Sequence, residues 1–356
     1  MKILFLFNKV YTGTKHIDYA KTGIGHDNHF YGMYRLRKYG IETDFLELEQ
    51  FIPKQIATFL RRYILNIFWI HLPLFPLFFR HDVIFSSTAY GSLLVKAFLG
   101  LKKPKWIILD FNISGTIGDG KSFRQKLFKY AVSKSDGIVA ISEIEAKTLK
   151  QIFPHLKDRI IFLHEGVDTN FFKPDPKISE ENFILSVGLD PSRDFKTLVE
   201  AARELSIPVK LATKTERVKE LEPLPHNVST QLFPHDEMLR QYAKAKIIVI
   251  GLNMKYNNND SMGTFAVAEA MAMGKAIIAT KTNALQSYIT DGVTGVFVPV
   301  HDPIAMRKAI QDLLQDDKKR KEMGWHAREF AVKNIEAEIF SKNLSQYFKS
   351  LMSRPE

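Results

Sequence analysis

The sequence predicts an α/β protein of two domains, each built on a parallel sheet. A chain of 356 residues, 45% of them hydrophobic, is long enough for two cores of ordinary size. Short apolar runs alternate with amphipathic stretches in both halves, which is typical of βαβ units. The alternation stops at a passage containing Pro and Lys, 171–179, and then restarts. We therefore predict a linker there, between residues 1–170 and 180–334.

In the first half, several apolar runs are hydrophobic throughout, as expected for strands with both faces covered. The predicted strands are Lys2–Phe7, Thr43–Leu48, Val83–Ser86, Trp106–Asp110, Gly137–Ile141 and Ile160–Leu163. The predicted helices between them are Gly25–Tyr39, Gly91–Leu99, Ser122–Ser133 and Glu143–Phe153.

The second half repeats the pattern and ends in a long helical region, 318–352. Its predicted strands are Phe183–Val187, Val209–Thr213, Val228–Leu232, Ile247–Ile250, Ala276–Ala279 and Gly295–Val298. Its predicted helices are Lys196–Leu205, Met238–Lys244, Phe265–Met273, Asn283–Ile289 and Pro303–Asp316.

Composition limits the classes of function. The chain has no cysteine, which excludes a thiol nucleophile and a zinc-thiolate site and suits a cytoplasmic protein. The net charge of +11 favours an anionic partner. We do not expect nucleic acid, because no strand carries the aromatic residues that would stack on bases. No apolar run reaches the roughly 18 residues of a spanning helix.

The segment 51–80 combines aromatic and aliphatic residues with Arg61, Arg62 and Arg80. This composition is typical of a surface that lies in a lipid interface, although buried core helices also look apolar. We therefore predict peripheral contact with an anionic membrane on its cytoplasmic face, and a lipid-linked acceptor as one possible substrate.

Gly23 and Gly25 lie in the loop between the first strand and the predicted helix that begins near His26. Glycines let a backbone approach a ligand closely, and the N–H groups of a helix start attract anions. A plain tight turn explains the two glycines equally well. His26 and His29 are at the same place, where a histidine could bind substrate or carry a proton.

Arg193 lies in the loop between a predicted strand, 183–187, and the following helix. A phosphate is commonly bound at this position in an open α/β sheet. The alternative is a surface arginine that pairs with a neighbour such as Asp194. Lys214 follows the next strand and is a second candidate cation for a phosphate.

The stretch 258–275 is a polar loop that leads into a short helix of small residues. Backbone N–H groups near Gly263, Thr264 and Phe265 could hold a diphosphate. Glu269 is the only acid on this apolar helix, and a buried acid needs partners. Ribose hydroxyl groups would suit it, with a structural salt bridge as the alternative.

Other catalytic and metal motifs are absent from the sequence. It contains no Walker-type phosphate loop, no Gly-x-Ser-x-Gly elbow and no His-Glu-x-x-His. Asp-x-Asp does not occur either, and nothing completes a ligand set around His26, Asp27 and His29. We predict no metal site.

The residues resemble the family-four glycosyltransferases, also known as glycosyl transferases group 1, which have the GT-B architecture. Residues 269–280 (EAMAMGKAIIAT) and 291–299 (DGVTGVFVP) are similar to the family's nucleotide-site helix and the strand and turn after it. Further matches are Ser186-Val187-Gly188 with Arg193, residues 243–246 (AKAK), and residues 164–168 (HEGVD) with Pro174. The likeness covers the whole second domain and is weaker in the first.

The resemblance implies two Rossmann-like domains facing a cleft, with a final helix, 335–356, that crosses back to the first domain. The first domain would bind the acceptor and the second the donor. Glu269 would bind the ribose, and Arg193 and Lys214 would neutralise the diphosphate. Gly263, Thr264 and Phe265 would contact the phosphates, and Gly25 would face them from the first domain.

The resemblance also implies a retaining, metal-independent hexosyltransferase of polysaccharide or glycolipid biosynthesis. It would use a UDP- or GDP-linked sugar, no cofactor, and a glycan or lipid-linked acceptor. His26, Asp260 and Ser261 occupy the candidate catalytic positions. The family usually has a glutamate at the position of Ser261, and an arginine at the position of Leu189.

Two other functions fit the same fold. A nucleotide-sugar epimerase would release a free sugar without any acceptor. A catalytically silent binding protein is suggested by Ser261 in place of the usual acid. Neither the base of the donor nor its sugar follows from the sequence.

Overall fold

The computed structural model describes residues 1–7, 10–12, 14, 17, 30–66, 68–254 and 262–354. The chain divides into two compact units. Unit 1 comprises Met1–Leu163 and Glu338–Glu356, and unit 2 comprises His164–Ala337. Each unit contains one six-stranded parallel sheet with helices, which confirms the predicted fold class.

All six strands of unit 1 that the sequence predicts are present. They are β1 (Lys2–Leu6), β2 (Glu42–Phe45), β3 (Val83–Ser86), β4 (Lys105–Asp110), β5 (Gly137–Ala140) and β6 (Ile160–Phe162). They are all parallel, in the order β2-β1-β3-β4-β5-β6. The central strands are buried, because a parallel sheet is covered on both faces.

One face of this sheet is covered by helices that follow its strands. They are α1 (Lys54–Tyr63), α2 (Tyr90–Phe98), α3 (Ile113–Ile117), α4 (Phe123–Ser133) and α5 (Glu143–Ile152). Leu93, Val132 and Leu149 pack beneath them against Ile84 and Ile108 of the sheet. Three of these helices match predicted ones, whereas α1 and α3 were not predicted.

The prediction of an α-helix over 25–39 is wrong for the part that the structure describes. Residues 31–34 form turns, and Arg35–Tyr39 is a 3-10 helix. Gly32 has a φ of +75°, which an α-helix does not tolerate, and a Cβ there would lie 2.5 Å from the Ser341 hydroxyl. The close approach of Ser341 therefore takes precedence over helical propensity.

The basic apolar segment 51–80 is partly core and partly surface. After α1 it continues to a 3-10 helix, Leu72–Arg80, in which Leu74 and Phe78 are buried. On α1, by contrast, Phe59 and Tyr63 are more than half exposed. The core interpretation is thus correct for the 3-10 helix, whereas contact of the exposed α1 residues with a lipid interface stays a prediction.

Unit 2 also has all its predicted strands. They are β7 (Ile184–Val187), β8 (Val209–Ala212), β9 (Val228–Thr230), β10 (Ile247–Ile250), β11 (Ala276–Thr280) and β12 (Val296–Val298). Their order is β12-β11-β10-β7-β8-β9. The direction of winding reverses between β7 and β10, and open α/β sheets bind ligands at the carboxyl ends of strands at such a point.

The helices of unit 2 follow the same alternation. They are α6 (Phe195–Ala202), α7 (His235–Lys244), α8 (Thr264–Ala272), α9 (Pro303–Gln315) and α10 (Asp317–Asn334). The α-helix predicted over 283–289 is wrong: only Leu285–Ser287 is helical, as a 3-10 turn. Its start is fixed by the Thr282 hydroxyl, which accepts from the backbone N–H of Leu285 at 3.3 Å.

Helix α8 is held rigidly at its carboxyl end by α10. A Cβ on Gly324 would lie 2.2 Å from the backbone oxygen of Gly274, so only glycine allows the two segments to approach this closely. Arg328 donates to the carbonyl oxygens of Ala272 and Phe172, at 2.7 and 2.9 Å. These bonds satisfy carbonyl groups that a helix end leaves without partners of its own.

The chain enters unit 2 earlier than the sequence indicates. The boundary follows Leu163, whereas the predicted linker is 171–179. The reason is that Val167 pairs with the end of α10: its N–H donates to the Ile335 oxygen, and its oxygen accepts from Ala337.

The last helix, α11 (Ala337–Met352), belongs almost wholly to unit 1, as the resemblance implies. Phe348 packs on Phe85 of the sheet with ring centroids 5.4 Å apart. At its start, the Glu338 carboxylate accepts from Lys38 and from the Tyr39 hydroxyl, both at 2.7 Å.

Candidate functional site

The loops after β7 and β10 meet at the point where the unit 2 sheet reverses. The N–H of Asp194 donates to the Gly251 oxygen at 2.9 Å, and the N–H of Asn253 donates to the Ser192 oxygen at 2.7 Å. These bonds tie the Arg193 loop to the neighbouring strand end. The position of Arg193 is therefore fixed by backbone contacts on both sides.

The side chain of Arg193 is only 6% exposed. Its Nε lies 3.2 Å from Asp190, yet Nε and Nη1 make no hydrogen bond among the residues that the structure describes. Asp190 thus balances the charge of the guanidinium but leaves these buried N–H groups without a hydrogen bond, which is costly unless another acceptor binds them. The alternative, pairing with a neighbouring acid, is therefore correct in part: the partner is Asp190, whereas Asp194 caps α6 through Thr197.

Two glycines make room for this guanidinium. A Cβ on Gly188 would overlap the Arg193 side chain, with Nε 1.9 Å away. A Cβ on Gly263 would lie 3.3 Å from Arg193 Nη1. Gly263 also has a φ of +87° at the N-cap of α8, a region that favours glycine. Arg193 thus lies directly against the N-terminus of α8.

Helix α8 supplies the second positive element of the site. The first N–H groups of a helix have no acceptor within it, and its dipole favours an anion there. Gly263 and Thr264 are buried and Phe265 is half-buried at this N-terminus. The three residues therefore lie beside Arg193 at the start of α8, and their role in binding a phosphate stays a prediction.

Glu269 lies farther along α8 and is half-buried. It has no ion pair among the described residues; instead, the buried Tyr242 hydroxyl donates to Glu269 Oε2 at 3.1 Å. Burial raises the pKa of Glu269 to about 7, and the Tyr242 bond and the Arg193 charge oppose the rise. A structural salt bridge, the alternative interpretation, is therefore wrong for the described part of the chain.

Glu165 is a site residue that the sequence does not single out. Its side chain is buried, and its Oε2 accepts from the Thr264 hydroxyl at 2.6 Å, while its N–H donates to the Tyr288 hydroxyl at 2.8 Å. Glu165 therefore positions the first residue of α8. Its place within the family-like residues 164–168 was the only signal for it in the sequence.

Lys214 is exposed at the carboxyl end of β8, the strand next to β7. Its ammonium group has no ion-pair partner within the described residues, so it is available to a ligand. A cavity of about 550 Å³ also borders the Arg193 loop, but its walls are acidic. Five carboxylates (Asp190, Asp194, Glu200, Glu216 and Glu220) outnumber Arg193, Lys196 and Arg217 in its lining, so its net negative charge disfavours a diphosphate.

Unit 1 has its own buried carboxylate at the carboxyl edge of its sheet. Asp110 ends β4, and its Oδ1 accepts from the N–H groups of Asn112 and Ile113 at 2.8 and 2.7 Å. Burial, with a smaller contribution from nearby Glu145, raises the pKa of Asp110 well above its usual range. Glu145 in turn accepts from the backbone and hydroxyl of Ser114. This cluster fixes α3 onto α5.

Several predicted site residues lie outside the described part of the chain. They are Gly25, His26, Asp260 and Ser261, together with Gly23 and His29. Within the described ranges, no group of three His, Asp or Glu side chains is arranged to hold a metal ion. In the same ranges, no helix is both long enough and apolar enough to cross a bilayer.

Comparison with known proteins places this geometry in a family. Residues 167–330 match the family model of the glycosyl transferases group 1. An uncharacterized glycosyltransferase of Methanocaldococcus jannaschii is 26% identical over 260 residues, 71% of each chain. A D-inositol 3-phosphate glycosyltransferase of Corynebacterium urealyticum is 23% identical over 352 residues, which is 90% of this chain and 74% of that protein.

Solved structures share the fold. HepE of Anabaena, crystallised with UDP and glucose, is similar with a TM-score of 0.72 at 15% identity, over 98% of this chain and all of HepE. Sucrose-phosphate synthase from Thermosynechococcus elongatus is similar with a TM-score of 0.71 at 18% identity, over 99% of both chains. Such low identities establish the fold alone. With the family match, they confirm the resemblance: residues 167–330 are a glycosyl transferases group 1 domain, and the chain has the GT-B fold.

Proposed function

We propose that the protein transfers a hexose from a UDP- or GDP-linked donor to a glycan or lipid-linked acceptor, with retention and without a metal. The observation that carries the proposal is the buried Arg193 guanidinium, whose Nη1 makes no hydrogen bond among the described residues and lies against Gly263 at the start of α8. An arginine fork and a helix N-terminus together suit a diphosphate.

Each part of the donor has a partner in this proposal. The diphosphate binds to Arg193, to Lys214 and to the backbone of Gly263, Thr264 and Phe265. The ionised Glu269 accepts hydrogen bonds from the ribose hydroxyls, as a carboxylate can do with both oxygens. Glu165 keeps the start of α8 in position through Thr264.

The transfer breaks the bond between the anomeric carbon and the phosphate oxygen, which leaves with the electron pair. The acceptor oxygen bonds to the same face of that carbon, and its proton passes to the departing phosphate oxygen. Arg193 and the α8 dipole stabilise the charge that develops on the leaving diphosphate. This neutralisation is what would make a metal ion unnecessary. His26, Asp260 and Ser261 remain candidates for contacts to the reacting sugar.

We further propose that unit 1 binds the acceptor and contacts the cytoplasmic face of the membrane through α1. Ile56, Phe59 and Tyr63 are exposed at helical spacing on α1, and Arg62 lies over the Tyr63 ring at 5.4 Å. Aromatic and basic residues on one helix suit an anionic lipid interface. Equal sedimentation with anionic and with neutral vesicles would contradict this contact.

The proposed function is tested by incubating the protein with UDP- and GDP-hexoses and a lipid-phosphate or glycan acceptor. We expect nucleoside diphosphate release coupled to acceptor-linked sugar, and neither product with Glu269→Ala. Release of a free, isomerised sugar without an acceptor would instead identify an epimerase. Donor binding without any turnover would identify a silent binding protein.

The raised pKa of Glu269 predicts how donor affinity depends on pH. Only the ionised carboxylate accepts from both ribose hydroxyls, and with a pKa of about 7 it ionises as the pH rises through neutrality. The Kd for a nucleoside diphosphate should therefore fall about tenfold between pH 6 and 8, the span over which the carboxylate becomes fully charged. Calorimetry at each pH measures it. Glu269→Gln is the control. In that variant, the pH dependence of Kd that comes from titration of the ligand persists, whereas the part that comes from the Glu269 carboxylate is lost.

A further inference from the structure

A cavity of about 440 Å³ opens in unit 1, outside the donor site. It lies near the carboxyl edge of the sheet, because its walls include Tyr90 and Gly91 at the start of α2 and Thr116 of α3. Those helices follow β3 and β4, and this edge is where open α/β sheets bind ligands. The volume is within the usual range for small-molecule sites.

The walls are mainly aromatic and aliphatic. Three rings pack together around the cavity: Phe68 lies 5.5 Å from Tyr90 and 5.9 Å from Phe128, and Tyr90 lies 4.6 Å from Phe128. Leu94, Leu127 and Ala131 complete the apolar lining. A hydroxyl-rich ligand buried here would lose more hydrogen bonds to water than these walls replace.

The cavity is preformed by a close backbone approach. A Cβ on Gly91 would lie 2.4 Å from the Trp69 ring, so glycine alone lets that ring form the wall. The N–H of Gly91 also donates to the Phe68 oxygen at 2.9 Å. These contacts fix Phe68 and Trp69 onto α2. Because the wall is already ordered, ligand binding costs little further conformational entropy there.

One cation stands at the rim of the cavity. Arg124 is exposed on the first turn of α4 and lines the cavity, and no carboxylate lies within ion-pair distance of it in the described residues. The exposed Tyr63, at the end of α1, and the exposed Ile64 directly after it precede Phe68 of the cavity wall by only five and four residues. An apolar interior with a cation at its rim complements a lipid that carries a phosphate.

We infer that this cavity binds the hydrocarbon chain of a lipid-phosphate acceptor, whose phosphate pairs with Arg124. The inference rests on the proposed function and specifies its acceptor class. The chain fills the space between the Phe68, Tyr90 and Phe128 rings, and the headgroup stays at the rim in water.

The test measures binding to the full-length protein by calorimetry, without any donor. Farnesyl phosphate is the probe, and farnesol, inorganic phosphate and an unlipidated disaccharide are the comparisons. We expect farnesyl phosphate to bind at least tenfold more tightly than farnesol, and no binding of phosphate or disaccharide. Preference for the disaccharide, or equal affinity for the alcohol and its phosphate, would overturn the inference.

Two variants and a matched control locate the binding. Leu94→Trp fills the cavity and should weaken farnesyl phosphate binding at least tenfold, whereas Leu99→Trp, on an exposed position at the end of the same helix, should not. Arg124→Gln changes an exposed residue and should reduce the affinity for farnesyl phosphate to that for farnesol. Unchanged binding in Arg124→Gln, or in a folded Leu94→Trp, would overturn the site.

Failure of this inference is distinguishable from failure of the proposed function. Glu269→Ala should bind farnesyl phosphate as the wild type does, because Glu269 belongs to unit 2. Sugar transfer without binding of the lipid phosphate overturns the cavity and leaves the transferase. Binding that follows the variants, without transfer from any donor, supports the cavity and contradicts the transferase.

Discussion

Replacing Arg193 by methionine should lower kcat/KM for the donor about a hundredfold or more, with little loss of stability. The loss of activity follows because a preorganised donor to a developing charge is worth about 10²–10³ in rate. The loss of stability should be small because Asp190, which loses its ion-pair partner, is one-quarter exposed and keeps its hydrogen bond from the Ser192 N–H, while methionine fills the buried space. Steady-state kinetics and thermal unfolding measure the two effects.

The matched control for this variant is Arg203→Met. Arg203 is exposed just after α6 and makes no ion pair among the described residues. It carries the same charge as Arg193 in the same unit, so it accounts for any effect of net charge on donor binding. If both variants lost activity equally, long-range electrostatics rather than a direct contact would explain the role of Arg193. If Arg193→Met unfolded the protein while the control did not, Arg193 would have a structural role instead.

Replacing Gly263 by alanine should reduce both stability and donor affinity. The φ of +87° costs an alanine about 1–2 kcal/mol. The added methyl group also meets the Leu252 side chain at 3.1 Å and Arg193 Nη1 at 3.3 Å. Because α8 begins here, the displacement moves both the helix N-terminus and the guanidinium. We expect donor affinity to fall at least tenfold, as measured by calorimetry.

Gly292→Ala separates backbone strain from crowding. Gly292 has a φ of +74°, close to that of Gly263, but a Cβ there would meet nothing within 4 Å. This variant should lose a similar amount of stability from strain alone and should bind the donor normally. A donor affinity that fell in both variants would show that general destabilisation, and not the geometry at Arg193, controls binding.

The strands were predictable because a covered parallel sheet needs unbroken apolar runs. Val83–Ser86 and Ile247–Ile250 have the predicted bounds, and the others differ by only a few residues. The failures occur where tertiary contacts outweigh the local pattern. Gly32 turns where Ser341 approaches it, more than 300 residues away in the chain. By contrast, α1 was missed although Ile56, Phe59 and Tyr63 recur at helical spacing, so that its pattern was present in the sequence.

The candidate donor site could be proposed from the sequence where its chemistry is local. The sequence alone is enough to recognise a loop arginine after a strand and a lone acid on a helix of small residues. What the sequence could not show is that Gly188 and Gly263 enclose the Arg193 side chain, since residues 188 and 263 are far apart in the chain. Nor could it show the hydrogen bond between Tyr242 and Glu269. The same holds for the bond between Thr264 and Glu165, because each bond joins residues from different parts of the chain.

The central claim is that the α8 site binds a nucleoside diphosphate through its ribose and its phosphates. It is tested most directly by measuring the Kd of a nucleoside diphosphate and its 2′,3′-dideoxy analogue, by calorimetry, for the wild type and for Glu269→Ala. Hydrogen bonds to a charged group are worth about 1.5–3 kcal/mol. The dideoxy analogue should therefore bind the wild type about 10- to 100-fold more weakly, and the two ligands should bind Glu269→Ala equally. An equal loss of affinity for the analogue in both proteins would contradict the assignment of Glu269 to the ribose.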